Sequence, residues 1–269
     1  MFPQVLSVSI GIDPIAFSIG SVEVRWESIM YIVSFSFILL WLWRFGKARI
    51  NSDSVMGIGV AAIIVGLIVA RLFHVIDFWG YYTSHPGEII GLGGLAIFGG
   101  ILGGALGTWM YCRFRGIQSA PLFDIAAPGI ALAEAIGRIG CTINGDSAGE
   151  PTSLPWGFIY SHPDSQAPVL GVPIHPTQVY QLLWNLIIFA ILFWALRGRL
   201  KPDGSLFIAY LALYSIGSFV IRLFRSGTPF VGPLHEGQFI SLVILAITIP
   251  LLIARTRWVK KPVEKAVVA

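Results

Sequence analysis

The stretch VMGIGVAAIIVGLIVARLF, from Val55 to Phe73, indicates how this chain folds. It is almost wholly apolar, and Arg71, close to its end, is its one charged residue. A helix needs roughly 20 consecutive apolar residues to cross the hydrocarbon core of a bilayer. We therefore predict that this stretch is a membrane-spanning helix.

The composition of the whole chain supports the same class of protein. Of the 269 residues, 55% are hydrophobic and 12% are charged, whereas soluble domains carry about 25% charged residues. The 30 glycines and nine tryptophans also suit a membrane protein, in which glycine is frequent within helices and aromatic residues gather at the interfaces. We predict an all-α integral membrane protein, with residues 1–269 forming a single polytopic domain.

Seven stretches are candidates for membrane spans. The fourth is the weakest, because it contains Asp124, Glu134 and Arg138. The seven are Ser28–Trp43, Val55–Phe73, Ile89–Tyr111, Phe123–Ile139, Val179–Leu196, Leu206–Leu223 and Phe239–Ala254.

The positive charges orient these spans. Most of the 18 Lys and Arg residues follow the first, third, fifth and seventh candidates, which places them on one side of the membrane. They are Arg44, Lys47, Arg49, Arg113, Arg115, Arg197, Arg199, Lys201, Arg255, Arg257, Lys260, Lys261 and Lys265. Because positive loops stay in the cytoplasm, we predict an outer N-terminus and a cytoplasmic C-terminus. The basic flanks face anionic membrane lipids and account for the basic pI without a nucleic-acid partner.

Five arginines lie instead at the predicted outer ends of spans: Arg25, Arg71, Arg138, Arg222 and Arg225. A charge within the hydrocarbon costs about 2.5–3.5 kcal/mol on insertion scales. Together the five favour a receptor for an anion, and the anion available there is a lipid phosphate, which the guanidinium fork matches. The alternative is that each side chain snorkels to the headgroups.

Arg138 has the most informative neighbourhood of the five. Glu134 precedes it by four residues, so the two side chains can pair across one helical turn. Gly137 and Gly140 would allow a lipid headgroup or another backbone to approach closely. The pair either orients Arg138 toward a substrate or only neutralises itself.

The longest loop runs from about 141 to 177, on the predicted outer side. It contains Asp146, Glu150 and Asp164 but no Lys or Arg, and its proline and glycine content predicts ordered turns rather than a helix. None of the five histidines has metal-ligand spacing, so we expect no structural or catalytic metal. Cys112 and Cys141 fall on opposite sides of the membrane, so we expect no disulfide.

The third span is rich in glycine, with spacings of four between Gly99, Gly103 and Gly107. Small residues at this spacing favour close packing against another helix. The alternative is a groove that accommodates an acyl chain.

Four motifs together resemble one family. They are DPIAFSIGSVEVRW at Asp13–Trp26, GGLAIFGG at Gly93–Gly100, GRIGCTINGDSAG at Gly137–Gly149 and HPTQVYQLLWN at His175–Asn185. Their order and spacing are similar to those of the bacterial phosphatidylglycerol–prolipoprotein diacylglyceryl transferases along nearly the whole chain. The third motif resembles the family signature Gly-Arg-x-Gly-Asn-Phe-x-Asn-x-Glu-x-x-Gly.

The resemblance implies a reaction in the bacterial cytoplasmic (inner) membrane. Such enzymes move the diacylglyceryl group of phosphatidylglycerol onto the lipobox cysteine of a prolipoprotein and release glycerol phosphate, with no metal or soluble cofactor. The arginine that matches Arg138 is the residue with which the family binds phosphatidylglycerol. The expected partners are therefore phosphatidylglycerol, the lipobox segment and membrane lipids.

Several positions depart from the family pattern. Phe98 stands where the family often has His or Tyr, Cys141 replaces the first Asn of the signature, and Asp146 replaces its Glu. Ser218 stands where the family has an arginine in the sixth span. We expect Arg222, one turn further on the same face, to supply the missing charge.

The residue types and the family resemblance together indicate which residues would carry out the reaction. Those expected in catalysis are Arg138, Arg222, Asp146 and Glu134, and those expected to bind substrate are Arg138, Asn144, Gly149, Arg71, Arg225, His175, Gln178 and Tyr214. The residue that removes the thiol proton stays open among Glu27, Asp146 and His175, unless the thiol simply ionises near the arginines. Two other functions are considered: a transferase of the same fold with another acceptor, and a lipid or solute transporter.

Overall fold

The computed structural model describes residues 7–20, 22–47, 49–90, 97–225 and 230–259, and most of them are helical. The helices are α1 Trp26–Gly46, α2 Ser52–Asp77, α3 Trp79–Ser84, α4 Ile97–Phe114, α5 Ser119–Asn144, α6 Thr177–Ala190, α7 Ser205–Ile221 and α8 Glu236–Arg255. A π-helical segment, Ile191–Leu196, continues α6, and a 3₁₀ turn, Arg222–Phe224, continues α7.

Each of the seven predicted spans overlaps one of these helices. Six helical segments in the described part of the chain are long and apolar enough to cross a membrane: Trp26–Gly46, Ser52–Ile76, Ser119–Asn144, Thr177–Leu196, Ser205–Phe224 and Glu236–Arg255. The third predicted span, Ile89–Tyr111, overlaps α4 but also includes residues 91–96, which lie outside the described residues.

Short strands accompany the helices, and the sequence analysis did not predict them. They are β1 Val8–Ile10, β2 Ile15–Ile19, β3 Val22–Arg25, β4 Phe158–Tyr160, β5 Leu200–Lys201 and β6 Arg257–Trp258. They form three two-stranded sheets: β1 pairs with β4 in parallel, whereas β2 with β3 and β5 with β6 are antiparallel. The protein is therefore mostly helical rather than purely helical.

The long loop contains turns and short strand pairs rather than a helix. It begins at Gly145 rather than near 141, because α5 continues to Asn144. Within it, β4 pairs with β1, and Ile174 is fully buried and bridges to Phe158. The Tyr160 hydroxyl donates a hydrogen bond of 2.8 Å to the backbone oxygen of Thr142, which ties the loop to the end of α5.

The chain divides into two compact units, one formed by residues 1–38 and 123–269 and the other by residues 39–122. In the second unit, α4 packs against α2 through glycine. A Cβ at Gly99, Gly103 or Gly107 would lie within 2.4–2.7 Å of a backbone oxygen of α2. The glycine spacing therefore marks helix packing, as predicted, and only a residue without a side chain fits at this distance.

The first unit has its apolar core between α5, α6 and α7. Ala127, Ala131, Ile188 and Leu192 are buried there beside Tyr210. Small residues on α5 let the larger side chains of α6 and α7 fill the space between the helices. This packing fixes the register of the three helices whose ends carry the polar site.

Asp124, one of the charged residues in the fourth predicted span, has a structural role. Its carboxylate accepts hydrogen bonds from the backbone N–H groups of Gly204 at 2.7 Å and Phe207 at 2.9 Å. These groups lie at the start of α7, where backbone donors have no partner within the helix and where a negative charge is favoured. Asp124 therefore caps α7 from a neighbouring helix.

We expect Asp124→Ala to lower the free energy of unfolding by about 1–2 kcal/mol, the usual cost of removing a helix cap. Thermal unfolding in detergent measures this loss. The exposed Asp53 in the first turn of α2 provides the control, since Asp53→Ala removes an acidic side chain without removing a cap of another helix. Equal unfolding temperatures for the two variants would contradict the capping role.

Candidate active site

The last turns of α5 bring three polar residues to one face. Arg138, Cys141 and Asn144 are three residues apart, and side chains at this spacing line one side of a helix. Arg138 Nη1 donates a hydrogen bond of 3.8 Å to Cys141 Sγ. Tyr31 from α1 and Tyr214 from α7 lie close enough to Arg138 to interact with its charge, so three helices build the site around one guanidinium.

Three arginines of this unit lie together. Arg222 and Arg225 both interact electrostatically with Arg138 and with each other. Arg222 Nε donates to Ser218 Oγ at 3.4 Å, and Arg225 Nε donates to Thr177 Oγ1 at 3.2 Å. We call Arg138, Arg222 and Arg225 the arginine cluster.

The carboxylates that act on the arginine cluster, Glu134 on Arg138 and Glu236 on Arg222, do so from a distance. Within the described part of the chain, none of its three members forms a salt bridge within 4.0 Å. Burial, followed by the charges of Arg138 and Arg222, lowers the pKa of Arg225 to about 10. Like charges held together in a poorly hydrated place repel one another, and an anion bound among them would relieve this repulsion.

Glu134 lies one turn below Arg138. The two residues interact electrostatically, and the Glu134 carboxylate also interacts with the Tyr210 hydroxyl. Glu134 Oε2 is buried without a hydrogen-bond partner among the described residues. No salt bridge within 4.0 Å joins Glu134 to Arg138, so the carboxylate leaves the guanidinium donors available to another group.

The turn after α5 carries Asn144, Asp146 and Gly149. Asn144 is fully buried, and its Nδ2 donates to Glu27 Oε2 at 3.4 Å. Gln178, also fully buried, donates from Nε2 to the backbone oxygen of Asp146 at 2.8 Å. A Cβ at Gly149 would lie 2.5 Å from His175 Cβ, so this glycine permits close contact of two loop segments.

His175 and the residues around it hold the loop against the end of α7. The backbone N–H of Gly149 donates to the oxygen of His175, and that of Glu150 donates to the oxygen of Phe224. The His175 ring lies 5.1 Å from the Phe224 ring, and burial lowers the pKa of His175. A neutral imidazole in these contacts can hold the loop in place.

Three ionisable groups meet beside Arg138. One ligand atom each of Glu27, Cys141 and Asp146 lies within 4.8 Å of the other two. The Tyr31 hydroxyl donates a bond of 2.6 Å to Glu27 Oε1 and lies 3.8 Å from Cys141 Sγ. Two of the three candidates for the proton acceptor, Glu27 and Asp146, are therefore near Cys141, whose sulfur accepts the hydrogen bond from Arg138.

Two of the five arginines predicted at the outer ends of spans have other contacts. Arg71 belongs to the unit of residues 39–122, where its Nε donates to the backbone oxygen of Ile89 at 2.9 Å and its Nη2 donates to that of Glu88. Arg25 Nη1 donates to the backbone oxygen of Asp164 at 3.1 Å. The Phe98 side chain lies outside the described residues.

The sequence analysis missed Tyr31 and Gly237. Tyr31 follows Glu27 by four residues, so helical spacing alone could have paired them. Gly237 had no such signal, because its partner is distant in sequence. A Cβ there would lie 2.1 Å from Arg222 Cζ, so the guanidinium rests on the bare backbone of α8.

We expect Gly237→Ala to displace the Arg222 guanidinium and to reduce activity while changing thermal stability little, because a flexible side-chain end can move aside. A loss of about tenfold is expected for a charge moved by about 1 Å in an active site. Gly232→Ala is not a matched control, since Gly232 has a φ of 57°. Gly104→Ala is suitable, because its Cβ would meet nothing closer than 3.7 Å. Unchanged turnover in Gly237→Ala would contradict the placement of Arg222.

Comparison with known proteins identifies the family. The chain matches the model of the prolipoprotein diacylglyceryl transferases over residues 14–254. A phosphatidylglycerol–prolipoprotein diacylglyceryl transferase of Dehalococcoides mccartyi is 39% identical over 250 residues, which are 92% of this chain and 95% of that protein.

Relatives from other bacteria carry the same name. The protein of Clostridioides difficile is 36% identical over 236 residues, 86% of this chain and 90% of the relative. That of Finegoldia magna is 32% identical over 258 residues, 94% of this chain and 100% of the relative. The resemblance drawn from the four motifs is confirmed, and the chain belongs to the prolipoprotein diacylglyceryl transferase family.

Proposed function

We propose that this protein transfers the diacylglyceryl group of phosphatidylglycerol to the lipobox cysteine of prolipoproteins and releases glycerol phosphate. Membership of the family supports the reaction, and the name of the relatives states both substrates. The observation that carries the proposal is the arginine cluster, with three positive charges and no salt bridge within 4.0 Å in the described residues. A lipid phosphate supplies the charge that this cluster lacks.

The reaction places growing negative charge where the cluster lies. The thiolate sulfur of the lipobox cysteine attacks the glyceryl carbon that carries the phosphate. A carbon–sulfur bond forms, the carbon–oxygen bond breaks, and the oxygen leaves with the electron pair as part of glycerol phosphate. The phosphodiester carries one negative charge, and the leaving phosphate carries up to two. The arginines therefore stabilise the transition state more strongly than they stabilise the bound lipid.

The thiol proton needs an acceptor. Glu27 and Asp146 both lie beside Cys141, the neighbour of Arg138, and either carboxylate could take the proton directly or through one water molecule. Asn144 and the backbone of Asp146 would shape the headgroup site, with Gln178 and His175 holding the loop that carries them. Glu134 would hold the orientation of Arg138 from below, and Tyr214 would contact the same guanidinium.

The membrane arrangement that we propose is the one that the sequence predicts. We propose seven spans in the bacterial inner membrane, with the N-terminus and the loop after α5 outside and the C-terminus in the cytoplasm. Six apolar helical segments and a seventh helix, α4, support the number. The basic residues after alternate spans support the orientation. The arginine cluster then faces the outer leaflet, where the lipobox of an exported precursor would arrive.

The function is tested with purified protein in phosphatidylglycerol micelles and a synthetic lipobox peptide. Mass spectrometry is expected to detect one diacylglyceryl group on the peptide, attached through its cysteine. The same peptide with serine in place of cysteine is the control and should remain unmodified. Folded protein that leaves the cysteine peptide unmodified would overturn the proposed function.

We expect Arg222→Ala to reduce turnover by about 10–100-fold, since the arginine would stabilise the leaving phosphate together with Arg138. The measurement is the initial rate of peptide modification. Arg255→Ala is the control, because Arg255 is exposed at the other end of α8. Turnover that survives Arg222→Ala at the wild-type rate would show that this residue does not replace the arginine missing at Ser218.

A second candidate is a transferase of the same fold that uses another acceptor. Cys141 favours it, because a thiol stands beside Arg138 at a position where the family signature has Asn. A panel of thiol, amine and hydroxyl acceptors, compared under the conditions of the peptide assay, separates the two functions. Faster transfer to a small acceptor than to the lipobox peptide would favour the second function.

A further inference from the structure

Glu27, Cys141 and Asp146 form a compact group of possible metal ligands. They come from the start of α1, the end of α5 and the turn after α5, and one ligand atom of each lies within 4.8 Å of the other two. Cys141 is 1% exposed, whereas the two carboxylates are partly buried. The group thus combines one sulfur and two oxygens in a sheltered place.

The two carboxylates of this group accept hydrogen bonds but are not ion-paired within the part of the chain that the structure describes. Among the described residues, neither Glu27 nor Asp146 forms a salt bridge within 4.0 Å. Ser147 Oγ donates to Asp146 Oδ2 at 3.1 Å, but Asp146 Oδ1 is buried and has no hydrogen-bond partner in that part of the chain. Buried carboxylate oxygens are normally paired or bound to a cation.

Asn144 provides a separate indication of a ligand. It is 0% exposed, and its Oδ1 has no hydrogen-bond partner among the described residues. Its Nδ2 lies 3.4 Å from Glu27 Oε2, so the amide is directed at the same group. Because the oxygen and nitrogen of an amide exchange places by rotation, Oδ1 can turn toward a cation held by Glu27.

We propose that Glu27, Cys141 and Asp146, with Asn144 Oδ1, bind a thiophilic divalent cation of the Zn²⁺ type. Sulfur and oxygen ligands in a set of four suit Zn²⁺, with Zn–S near ~2.3 Å and Zn–O near ~2.0–2.2 Å. Ligands at these lengths are roughly 3–4 Å apart, so a small contraction of the group would complete the coordination. Magnesium and calcium prefer oxygen ligands alone and are expected to bind less well.

Arg138 is compatible with this site. The bound cation replaces the thiol proton of Cys141, which is released to solvent, so binding weakens as the pH falls. The thiolate can keep the hydrogen bond from Arg138 Nη1, since atoms bound to a metal commonly accept or donate a second bond to the protein. The site contains no histidine, which is why the spacing of the histidines gave no indication of it.

The cation would inhibit lipid transfer, and this part rests on the proposed function. Glu27 and Asp146 are the two carboxylates placed to accept the thiol proton, and coordination occupies both. Binding itself is independent of catalysis and can be measured on protein that transfers nothing.

The test is a Cd²⁺ titration of the purified full chain in detergent, because cadmium–thiolate bonds absorb in the ultraviolet and cadmium prefers the ligands that zinc prefers. We expect a saturable band with one Cd²⁺ per chain, displaced by Zn²⁺ but not by Mg²⁺. Cys141→Ser should abolish the band. Cys112→Ser is the matched control and should keep it, because Cys112 is a second buried thiol in α4.

Asp146→Asn is the second variant, since it leaves the thiol in place and should weaken Cd²⁺ binding at least tenfold. Thermal unfolding without cation shows that each variant is folded. The site is overturned if wild-type protein gives no band, if Cys141→Ser retains it, or if Cys112→Ser loses it. A cadmium band in protein that does not modify the lipobox peptide would uphold the site and overturn only the proposed function, together with the inhibition.

Discussion

Replacing Arg138 with alanine is expected to reduce peptide modification by at least about 10²–10³-fold, the range found when one preorganised donor to a developing anion is removed. Arg138 lies at the centre of the site, where α1, α5 and α7 contribute its neighbours. Its loss leaves Arg222 and Arg225 to hold the phosphate and removes the hydrogen bond to Cys141 Sγ. The measurement is the initial rate of adduct formation at saturating phosphatidylglycerol.

Two further variants separate charge from geometry. Arg138→Lys keeps the charge but loses the planar fork, so most of the activity should still be lost. Arg113→Ala removes an exposed arginine from the last turn of α4 and should leave the rate unchanged. If Arg138→Ala retained wild-type turnover, the cluster would not be the phosphate site.

The largest effect on stability is expected from Gly107→Ala. The new Cβ would lie 2.4 Å from the backbone oxygen of Ala61, and neither atom is at the end of a flexible side chain. α4 must therefore move away from α2, which costs about 2–3 kcal/mol, as overpacking of a tight interface does. The gain of about 1 kcal/mol in helix propensity from Gly to Ala does not offset this cost. Thermal unfolding in detergent measures the difference.

Gly104→Ala is the matched control on the same helix. Its Cβ would lie 3.7 Å from the nearest atom, the oxygen of Ala62, so the substitution should be neutral or stabilising. A smaller loss for Gly107→Ala than for Gly104→Ala would mean that α2 and α4 do not pack as described. The glycines of α4 would then fit the alternative prediction, a groove that accommodates an acyl chain.

The helices could be predicted from the sequence because an apolar run is a local property. An apolar run long enough to cross a bilayer identifies a helix without any knowledge of its neighbours, and each of the seven predicted runs overlaps a helix. The helix ends moved outward, as with α5, which continues from the predicted end at Ile139 to Asn144. That extension placed Cys141 and Asn144 on the same helix face as Arg138.

Contacts between distant residues could not be predicted in this way. In the sequence, the charge of Asp124 made the fourth predicted span less apolar. Its role as a cap can be recognised only from the structure, where the start of α7 lies beside it. Gly237 gave no signal before Arg222 was found against it. The family motifs placed Arg138 and Asp146 near a substrate, but the approach of Glu27 to both Cys141 and Asp146 depends on how α1 meets α5.

Both products of the reaction can be quantified in one experiment. Purified protein, phosphatidylglycerol and lipobox peptide are mixed, and mass spectrometry quantifies modified peptide and released glycerol phosphate over time. Equal amounts of the two are expected from wild-type protein, and neither product is expected above background from Arg138→Ala. Released glycerol phosphate without modified peptide, or equal yields from wild type and Arg138→Ala, would contradict the proposed reaction at the arginine cluster.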